Sequence, residues 1–167
     1  MTLSTKRPAP PSATVKTASP EQTRDFAAAL AAVARPGDRI ALLGPLGAGK
    51  TQFAKGFAVG LGVREVVNSP SFTLMAEYAG RVPLFHQDLY RLNGAEEVIG
   101  GGLVDDRQED GVTLIEWGDR LPARLDASRL SILFEIGAAD DERTITVSAA
   151  RPAQGRYVKA AAAWSAR

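Results

Sequence analysis

The octapeptide Gly-Pro-Leu-Gly-Ala-Gly-Lys-Thr at residues 44–51 constrains the fold of this chain more than any other feature of its sequence. It fits the pattern Gly-x-x-x-x-Gly-Lys-[Ser/Thr] of the phosphate-binding loop of nucleoside triphosphatases. Its glycines allow backbone conformations that a Cβ atom would forbid, so that successive N–H groups turn toward bound phosphates. Lys50 adds a positive charge near the β- and γ-phosphates, and the Thr51 hydroxyl can hold Mg²⁺. The predicted nucleotide contacts in this segment are Gly44, Leu46, Gly47, Ala48, Gly49, Lys50, Thr51 and Gln52.

The residues on either side of the loop provide the structural context that the motif requires. Residues 40–43 form a short apolar run bounded by turn residues, which predicts a buried strand. After the loop, apolar residues recur at helical spacing from Phe53 to Leu61, and Gly62 is expected to cap this helix. A strand, a glycine-rich loop and a helix in this order place the helix N-terminus beneath the phosphates, where the helix dipole favours anions.

Length and composition narrow the class of protein. The 167 residues predict one domain, and a hydrophobic fraction of 45% is ordinary for a globular protein. The net charge of +1 gives no sign of bulk electrostatic binding to nucleic acid, and the absence of cysteine excludes disulfides and thiolate chemistry. No apolar stretch near the N-terminus suggests a secretory signal, and the longest apolar run, Phe26–Ala34, is too short to span a bilayer. We therefore expect a soluble cytoplasmic protein without membrane contact.

Charge is unevenly distributed along the chain. Residues 95–120 carry eight acidic residues against two arginines, whereas residues 151–167 carry four basic residues and no acid. These stretches are either solvated surface or complementary docking faces for a partner.

The remainder of the sequence predicts a three-layer α/β domain of the P-loop NTPase type, with a mixed, mostly parallel sheet and antiparallel hairpins. Residues 1–12, rich in Pro, Ser and Thr, are expected to be a disordered tail, and residues 13–167 a single ATPase domain. Ser19 as N-cap, Pro20 and Gln22 in a capping box begin a helix that runs to about Ala34. Strands are predicted over residues 14–17, 72–78, 82–88, 112–116, 130–136 and 143–148, and further helices over residues 95–99 and 157–164.

Two acidic residues end predicted strands and are candidates for the chemistry of hydrolysis. Asp88 follows residues 82–87, and Glu116 follows residues 112–115. Ligands of open α/β sheets lie outside the carboxyl ends of the strands, so both side chains can face the phosphates. Asp88 is expected to hold Mg²⁺, and Glu116 to orient or deprotonate the attacking water or to help hold the metal. The alternative for each is a capping residue or a solvated strand end.

Four segments resemble the TsaE family of tRNA threonylcarbamoyladenosine biosynthesis proteins, which are small P-loop ATPases. The segments are residues 44–51, Ser-Pro-Ser-Phe-Thr-Leu at residues 69–74, His-Gln-Asp-Leu-Tyr-Arg-Leu at residues 86–92, and Glu-Trp at residues 116–117. Their order and spacing carry the resemblance, which runs from about Pro20 to Ser148. The second and third strings make it specific, since a phosphate-binding loop alone occurs in many proteins.

The resemblance implies that ATP hydrolysis supports transfer of a threonylcarbamoyl group to an adenosine beside the tRNA anticodon. It implies that a partner pair of the TsaB–TsaD type performs the transfer and that tRNA is contacted indirectly through the complex. ATP and Mg²⁺ are the implied cofactors.

The resemblance also implies roles for individual positions. Lys50 and Thr51 would serve phosphate and metal, Asp88 would serve the metal, Glu116 lies at the position of the catalytic acid, and Trp117 lies close to the nucleotide. The segment 69–73 matches a switch-like segment near the γ-phosphate. Its Ser71, which stands where family members commonly have Thr, and its Thr73 complete the predicted nucleotide contacts.

Three neighbouring side chains have open roles. A structural role is favoured for His86, the only histidine. Arg91 contacts phosphate, a partner or a surface acid, and Trp117 either stacks near the base or packs half-buried.

Two other functions fit the phosphate-binding loop. One is a small-molecule kinase, although the acidic region after Asp88 does not resemble the basic lid that such enzymes close over phosphates. The other is a nucleotide-gated binding module, in which ATP orders residues 69–73 and a partner recognises that order. A GTPase is disfavoured because the sequence contains no Asn-Lys-x-Asp string to recognise guanine.

Overall fold

The computed structural model describes residues 8–121 and 129–167 of the chain. The strands are β1 (Ser12–Thr17), β2 (Arg39–Leu43), β3 (Met75–Tyr78), β4 (Leu84–Asp88), β5 (Val112–Glu116), β6 (Leu130–Ile136) and β7 (Arg143–Ser148). The helices are α1 (Pro20–Ala31), α2 (Lys50–Gly60), α3 (Ala95–Gly100) and α4 (Gly155–Ser165). Short 3₁₀ helices cover Asp106–Asp110, Gly118–Arg120 and Pro152–Gln154.

The described strands form one seven-stranded sheet in the order β1-β7-β6-β2-β5-β4-β3. β2 lies at the centre and pairs in parallel with β5 and β6, and β5 pairs in parallel with β4. β3–β4 and β6–β7 form the two predicted antiparallel hairpins, and β1 pairs antiparallel with β7. Most strands therefore run in one direction, which confirms the predicted mixed, mostly parallel sheet.

The two faces of the sheet carry unequal layers, because successive side chains of a strand point to opposite faces. Leu114 of β5 belongs to a large buried cluster that also contains residues of α1, α2 and α4. Its neighbour Ile115 belongs to a small cluster on the other face, together with Leu89, Leu92, Val98, Leu103 and Leu121. Helices on one face, and α3 with connecting segments on the other, complete the predicted three layers.

Helices α1 and α2 approach each other closely through small residues. A Cβ atom at Gly56 would lie 2.2 Å from the carbonyl oxygen of Arg24, and one at Gly60 would lie 2.7 Å from that of Ala28. The ring of Phe26 also packs against Phe53, with centroids 6.2 Å apart. This contact fixes the position of α2, whose first turn borders the glycine-rich loop.

Several predicted boundaries are wrong by two or three residues, among them the end of α1 and the start of β3. α1 ends at Ala31 and not near Ala34, because the N–H groups of Val33 and Ala34 bond to carbonyl groups three residues back as the chain turns before Pro36. β3 begins at Met75 and not at Phe72, because Leu74 has a left-handed backbone (φ 67°) and its N–H bonds to Pro70 O at 2.7 Å. Ser19 caps α1 as predicted, and its Oγ accepts from the Gln22 N–H at 3.1 Å. The predicted capping box differs in its second bond, because Gln22 Oε1 accepts from Ala18 N and not from Ser19 N.

Part of the predicted N-terminal tail lies outside the described residues. The disorder of residues 1–7 therefore stays a prediction. Ser12 begins β1 and pairs with Ser148, and the Pro11 carbonyl accepts from Ala149 N at 3.0 Å.

One basic residue of the C-terminal segment serves the fold itself. Arg156 donates to Val33 O at 2.8 Å and forms an ion pair with Asp38, which also accepts from the Tyr157 hydroxyl at 2.5 Å. Arg156 thus anchors α4, and a docking role for the rest of the segment stays a prediction. No helix within the described residues is long and apolar enough to cross a membrane.

Candidate functional site

The glycine-rich loop joins the carboxyl end of β2 to the first turn of α2. Gly44, Gly47 and Gly49 have φ angles of 145°, 79° and 101°, which L-residues with a side chain rarely adopt. A Cβ atom at Gly44 would also lie 2.6 Å from the carbonyl oxygen of Phe134. Gly49 is the N-cap of α2 and supplies no side-chain hydrogen bond to it. The first N–H groups of α2 are therefore available to an anion.

Lys50 is buried at the start of α2, and the loop holds its ammonium group. Nζ donates to the carbonyl oxygens of Gly44 (2.5 Å) and Pro45 (2.9 Å) and lies 3.9 Å from the centroid of the Trp117 ring. Burial lowers the pKa of Lys50, and the negative charges of nearby carboxylates, Glu116 first among them, oppose that shift. The lowered pKa means that the nearby carboxylates do not fully offset the cost of burying the ammonium charge. An anionic ligand at this position would therefore favour the charged form of Lys50.

Asp88 and Glu116 lie side by side at the carboxyl edge of the sheet. They are the last residues of β4 and β5 and are direct partners in the parallel register. Both are buried, with exposed fractions of 5% and 2%. Thr51 Oγ1 donates to Glu116 Oε1 at 2.8 Å, and the backbone N–H of Tyr90 donates to Asp88 Oδ1 at 2.9 Å. The structure thus brings the start of α2 and the ends of β4 and β5 to one point.

Ser69 and His86 complete a hydrogen-bonded network around Glu116. Ser69 Oγ is within hydrogen-bond distance of Asp88 Oδ2 and lies 3.0 Å from Glu116 Oε2. His86 Nε2 lies 3.0 Å from the same Oε2 atom. Burial by itself raises the pKa of Glu116, but the hydrogen bond and charge of His86, together with the hydroxyls of Thr51 and Ser69, leave that pKa below its ordinary value. Glu116 is therefore held as a carboxylate at neutral pH.

Aromatic and basic side chains form the rim of the site. Trp117 directly follows Glu116 and has a left-handed backbone, with φ of 58°. Its ring centroid lies 5.0 Å from that of Tyr90. The guanidinium of Arg91 lies 4.3 Å from the centroid of the Phe72 ring, and Phe72 is 83% exposed. The rim thus combines flat apolar surfaces with positive charge.

One cleft of about 500 Å³ lies between the glycine-rich loop and the ends of β4 and β5. The predicted site residues that line it are Leu46, Gly47, Ala48, Gly49, Lys50, Thr51, Gln52, Ser71, Asp88, Glu116 and Trp117. Gly44 contributes its carbonyl group to Lys50 and is not a lining residue. Thr73 is exposed and does not line the cleft either.

Four residues at or beside the cleft are not among the predicted site residues. Ser69 and Tyr90 line the cleft, as does Arg91, whose role the sequence leaves open. His86 contacts Glu116 from within β4. The period of a strand gives a signal for His86, since it lies two residues before Asp88 and so on the same face. No local pattern identifies Ser69 as a neighbour of both carboxylates.

The side chains of Thr51, Ser69, Asp88 and Glu116 converge, and the atoms they offer as metal ligands are all oxygens. Within the described residues no cluster of three or more His, Cys, Asp or Glu could hold a metal ion by itself. Mg²⁺ prefers oxygen ligands and is usually bound by one or two carboxylates together with substrate phosphates. This set of oxygen ligands therefore fits Mg²⁺.

The fold and the site together define the class of protein. A central strand, a glycine-rich loop and a helix N-terminus lie at the carboxyl edge of a three-layer α/β sheet, next to acidic residues that end two neighbouring strands. This is the architecture of a P-loop NTPase-type domain.

Comparisons with known proteins narrow the class to one family. The family model described as "Threonylcarbamoyl adenosine biosynthesis protein TsaE" matches residues 17–145. The tRNA threonylcarbamoyladenosine biosynthesis protein TsaE of Bacillus subtilis is 46% identical over 135 residues, which cover 80% of this chain and 84% of that protein. The TsaE protein of Treponema pallidum is 38% identical over 130 residues, covering 78% of this chain and 96% of that one. The crystal structure of YdiB from Bacillus subtilis matches with a TM-score of 0.69 and 38% identity, over 93% of this chain and 95% of that chain. The chain belongs to the TsaE family.

Proposed function

We propose that this protein is a Mg²⁺-dependent ATPase that supports the biosynthesis of threonylcarbamoyladenosine in tRNA, together with partner proteins. The convergence of Lys50, Thr51, Asp88 and Glu116 in one cleft beside the glycine-rich loop carries the proposal. Phosphoryl-transfer sites use these residue types to neutralise phosphate charge and to position metal and water. Membership of the TsaE family supplies the pathway.

ATP binding would require Lys50 to exchange its partners. Its ammonium donates to two neutral carbonyl oxygens, of Gly44 and Pro45. Phosphate oxygens carry full charge and form stronger hydrogen bonds with an ammonium group. In its new position, Lys50 would act with the first N–H groups of α2 to neutralise the charge that develops between the β- and γ-phosphates.

Thr51 and Asp88 are the residues that would hold Mg²⁺, with Glu116 as a neighbouring or further ligand. The ion, when bound, neutralises phosphate charge and polarises the γ-phosphoryl group. Asp88 and Glu116 are register partners on adjacent strands, so sheet hydrogen bonds fix the spacing of their backbones. Such a support gives a site more precise geometry than a loop does.

The carboxylate of Glu116 would position the attacking water or the metal. A general base works best with a pKa near the operating pH, whereas the pKa of Glu116 is lowered. The hydrogen bond from His86 and the donors Thr51 and Ser69 fix the orientation of the carboxylate. Glu116 thus contributes charge and geometry more than proton affinity.

The threonylcarbamoyl transfer itself belongs, in this proposal, to a partner pair of the TsaB–TsaD type, and tRNA is engaged through the complex. The protein then acts in the cytoplasm, where tRNA is used. Its own contribution is the energy of ATP hydrolysis, which restores the partner pair between rounds of transfer.

A reconstituted reaction tests the proposal. It contains tRNA, the partner pair, the threonylcarbamoyl donor and Mg-ATP, with and without this protein, and modified adenosine is counted per partner pair. We expect product beyond one turnover only when both this protein and ATP are present. Equal product in its absence would reject the role in this pathway.

The position of Ser69 favours a second function, that of a nucleotide-gated binding module. Its single hydroxyl hydrogen serves two carboxylates, of Asp88 and Glu116. A metal ion that bound these carboxylates would compete with Ser69 and so displace the segment that carries the exposed Phe72. A partner would then recognise the ATP-bound arrangement of this segment. Full multi-turnover modification with a non-hydrolysable ATP analogue would support gating without hydrolysis, and a strict need for hydrolysable ATP would reject it.

A further inference from the structure

Arg143, the first residue of β7, contacts the outer side of the glycine-rich loop. Its Nη2 donates to Gly47 O at 3.0 Å, and its Nε donates to Ala48 O at 3.1 Å. Its Nη1 donates to the carbonyl oxygens of Asp140 (2.5 Å) and Glu142 (2.8 Å) in the turn between β6 and β7. One planar guanidinium therefore joins the loop to this hairpin through backbone carbonyl groups alone.

The two loop acceptors belong to consecutive peptide groups. In a trans peptide the carbonyl and the following N–H point in opposite directions. Because Arg143 holds the oxygens of Gly47 and Ala48 on the outer side, the N–H groups of Ala48 and Gly49 are held on the opposite side, where the Ala48 N–H donates to Pro45 O at 3.2 Å. A bound phosphate oxygen would replace Pro45 O as the acceptor of this N–H. Both of these residues line the candidate nucleotide cleft.

These peptide groups need an external constraint because glycines flank them. Gly47 and Gly49 have positive φ angles, and glycine adopts positive and negative φ about equally readily. Glycine therefore offers little resistance of its own to rotation of these groups, and the Gly47–Ala48 group is held within the loop by the bond from Ala48 N to Pro45 O at 3.2 Å. A Cβ atom at Gly47 would meet no atom within 4 Å, so the loop is not packed against another segment on that side of Gly47.

We propose that Arg143 is a positioning residue that locks these two peptide groups and thereby sets the affinity of the loop for nucleoside di- and triphosphates. Arg143 would not touch the nucleotide. Its fixed positive charge, which is retained at every relevant pH, also polarises both carbonyl groups and so strengthens the N–H dipoles that face the cleft. This inference rests on the proposed nucleotide binding.

Two substitutions and a matched control test the inference. Arg143→Lys keeps the charge but loses the planar fork that reaches two carbonyl groups at once. Arg143→Met keeps much of the side-chain volume without charge. Arg81→Lys is the control, because the Arg81 guanidinium also donates to two backbone carbonyl groups, of Ala31 (2.7 Å) and Ala34 (2.8 Å) at the end of α1.

Affinities for ADP and ATP are measured by isothermal titration calorimetry, and folding by urea unfolding. We expect the Kd of both nucleotides to rise about tenfold in Arg143→Lys and further in Arg143→Met, and to stay within about twofold in Arg81→Lys. The amide ¹⁵N resonances of Ala48 and Gly49, which respond to hydrogen bonding at the preceding carbonyl, should shift only in the Arg143 variants. If Arg143→Met does not fold, Arg143→Lys decides the result.

Three outcomes would overturn the inference. The first is nucleotide affinity in folded Arg143→Lys equal to that of the wild type. The second is an equal loss in Arg81→Lys, which would indicate general destabilisation. The third is ¹⁵N resonances of Ala48 and Gly49 that do not move. Failure of the wild-type protein to bind ATP would instead reject the proposed function, and the ¹⁵N shifts would still decide whether Arg143 holds the loop.

Discussion

The two ends of α2 use glycine for opposite reasons. In the loop that leads into its first turn, Gly47 and Gly49 provide positive φ angles, and a Cβ atom at Gly47 would meet nothing within 4 Å. In its second half, Gly56 has no such φ angle but leaves no room for a Cβ atom against the backbone of Arg24. The comparison teaches that one residue type carries a conformational role at the candidate site and a packing role in the scaffold.

The two ends also differ in how they treat charge. The first turn buries Lys50 beside Asp88 and Glu116, an arrangement that costs stability unless every charge is well paired. In the second half the buried residues are Gly56, Phe57 and Ala58, none of which carries a charge. We therefore expect substitutions at the first turn to change chemistry more than folding, and substitutions in the second half to do the reverse.

The largest expected effect is on catalysis at the first turn. Lys50→Ala should reduce ATP hydrolysis by about 10²- to 10³-fold, because it removes the charge that neutralises the phosphates in the proposed function. Phosphate release at saturating Mg-ATP measures this rate. Lys55→Ala, on the same helix but away from the cleft, is the matched control. If Lys50→Ala hydrolysed ATP at the wild-type rate, the expectation that the first turn of α2 serves chemistry would be wrong.

The next effect is on folding in the second half of α2. Gly56→Ala should lower the free energy of unfolding by about 3 kcal/mol, because its Cβ would lie within 2.2–2.6 Å of Arg24 backbone atoms that cannot move cheaply. Urea unfolding measures the change. Gly155→Ala, where nothing lies within 4 Å, should be neutral or stabilise by up to about 1 kcal/mol. Equal stability of Gly56→Ala and the wild type would show that the helices are not held in close contact.

A smaller effect concerns the proposed metal. Asp88→Asn should raise the Mg²⁺ concentration for half-maximal ATP hydrolysis by about tenfold, because it removes one of two adjacent carboxylates. A Mg²⁺ titration at fixed ATP measures the midpoint, and Asp110→Asn on the surface is the control. Stability should stay level or rise, since like charges at register partners repel each other. An unchanged midpoint would remove Asp88 from the metal site.

The smallest effect is a difference in the pH dependence of stability. The pKa of Glu116 is lowered in the folded protein, so its carboxylate form favours folding. This stabilisation is present above the unfolded-state pKa of about 4.3 and is lost as the pH falls through the lower folded-state pKa. Between about pH 6 and pH 3, the wild type should therefore lose more stability than Glu116→Gln. The free energy of unfolding of both proteins is measured in urea at each pH. If it fell equally with pH in both, His86 and the hydroxyl donors would not stabilise the carboxylate of Glu116.

Features that depend on neighbours in sequence were predictable. The central strand β2, the start of α1 at Ser19, both hairpins and the order of loop and helix follow from local patterns that the structure reproduces. The start of β3 was not predictable, because no glycine, proline or other turn residue in the segment 72–78 indicates the left-handed backbone of Leu74. Its carbonyl group accepts from Asp88 N at 3.0 Å, a contact between the residue that precedes β3 and the end of β4, which favours this conformation.

The sequence by itself determined the glycine-rich loop, the residues that line its cleft from Leu46 to Gln52, and the two acidic strand ends, because each depends on residue types within one short segment. Only the tertiary structure decided that Asp88 and Glu116 are register partners, that Ser69 and His86 join their network, and that Arg143 holds the loop from outside. The physical reason is the distance along the chain between the residues that interact. Backbone conformation and capping are set by a few adjacent residues, whereas these contacts join segments far apart in the chain and exist only once the strand order of the sheet is fixed.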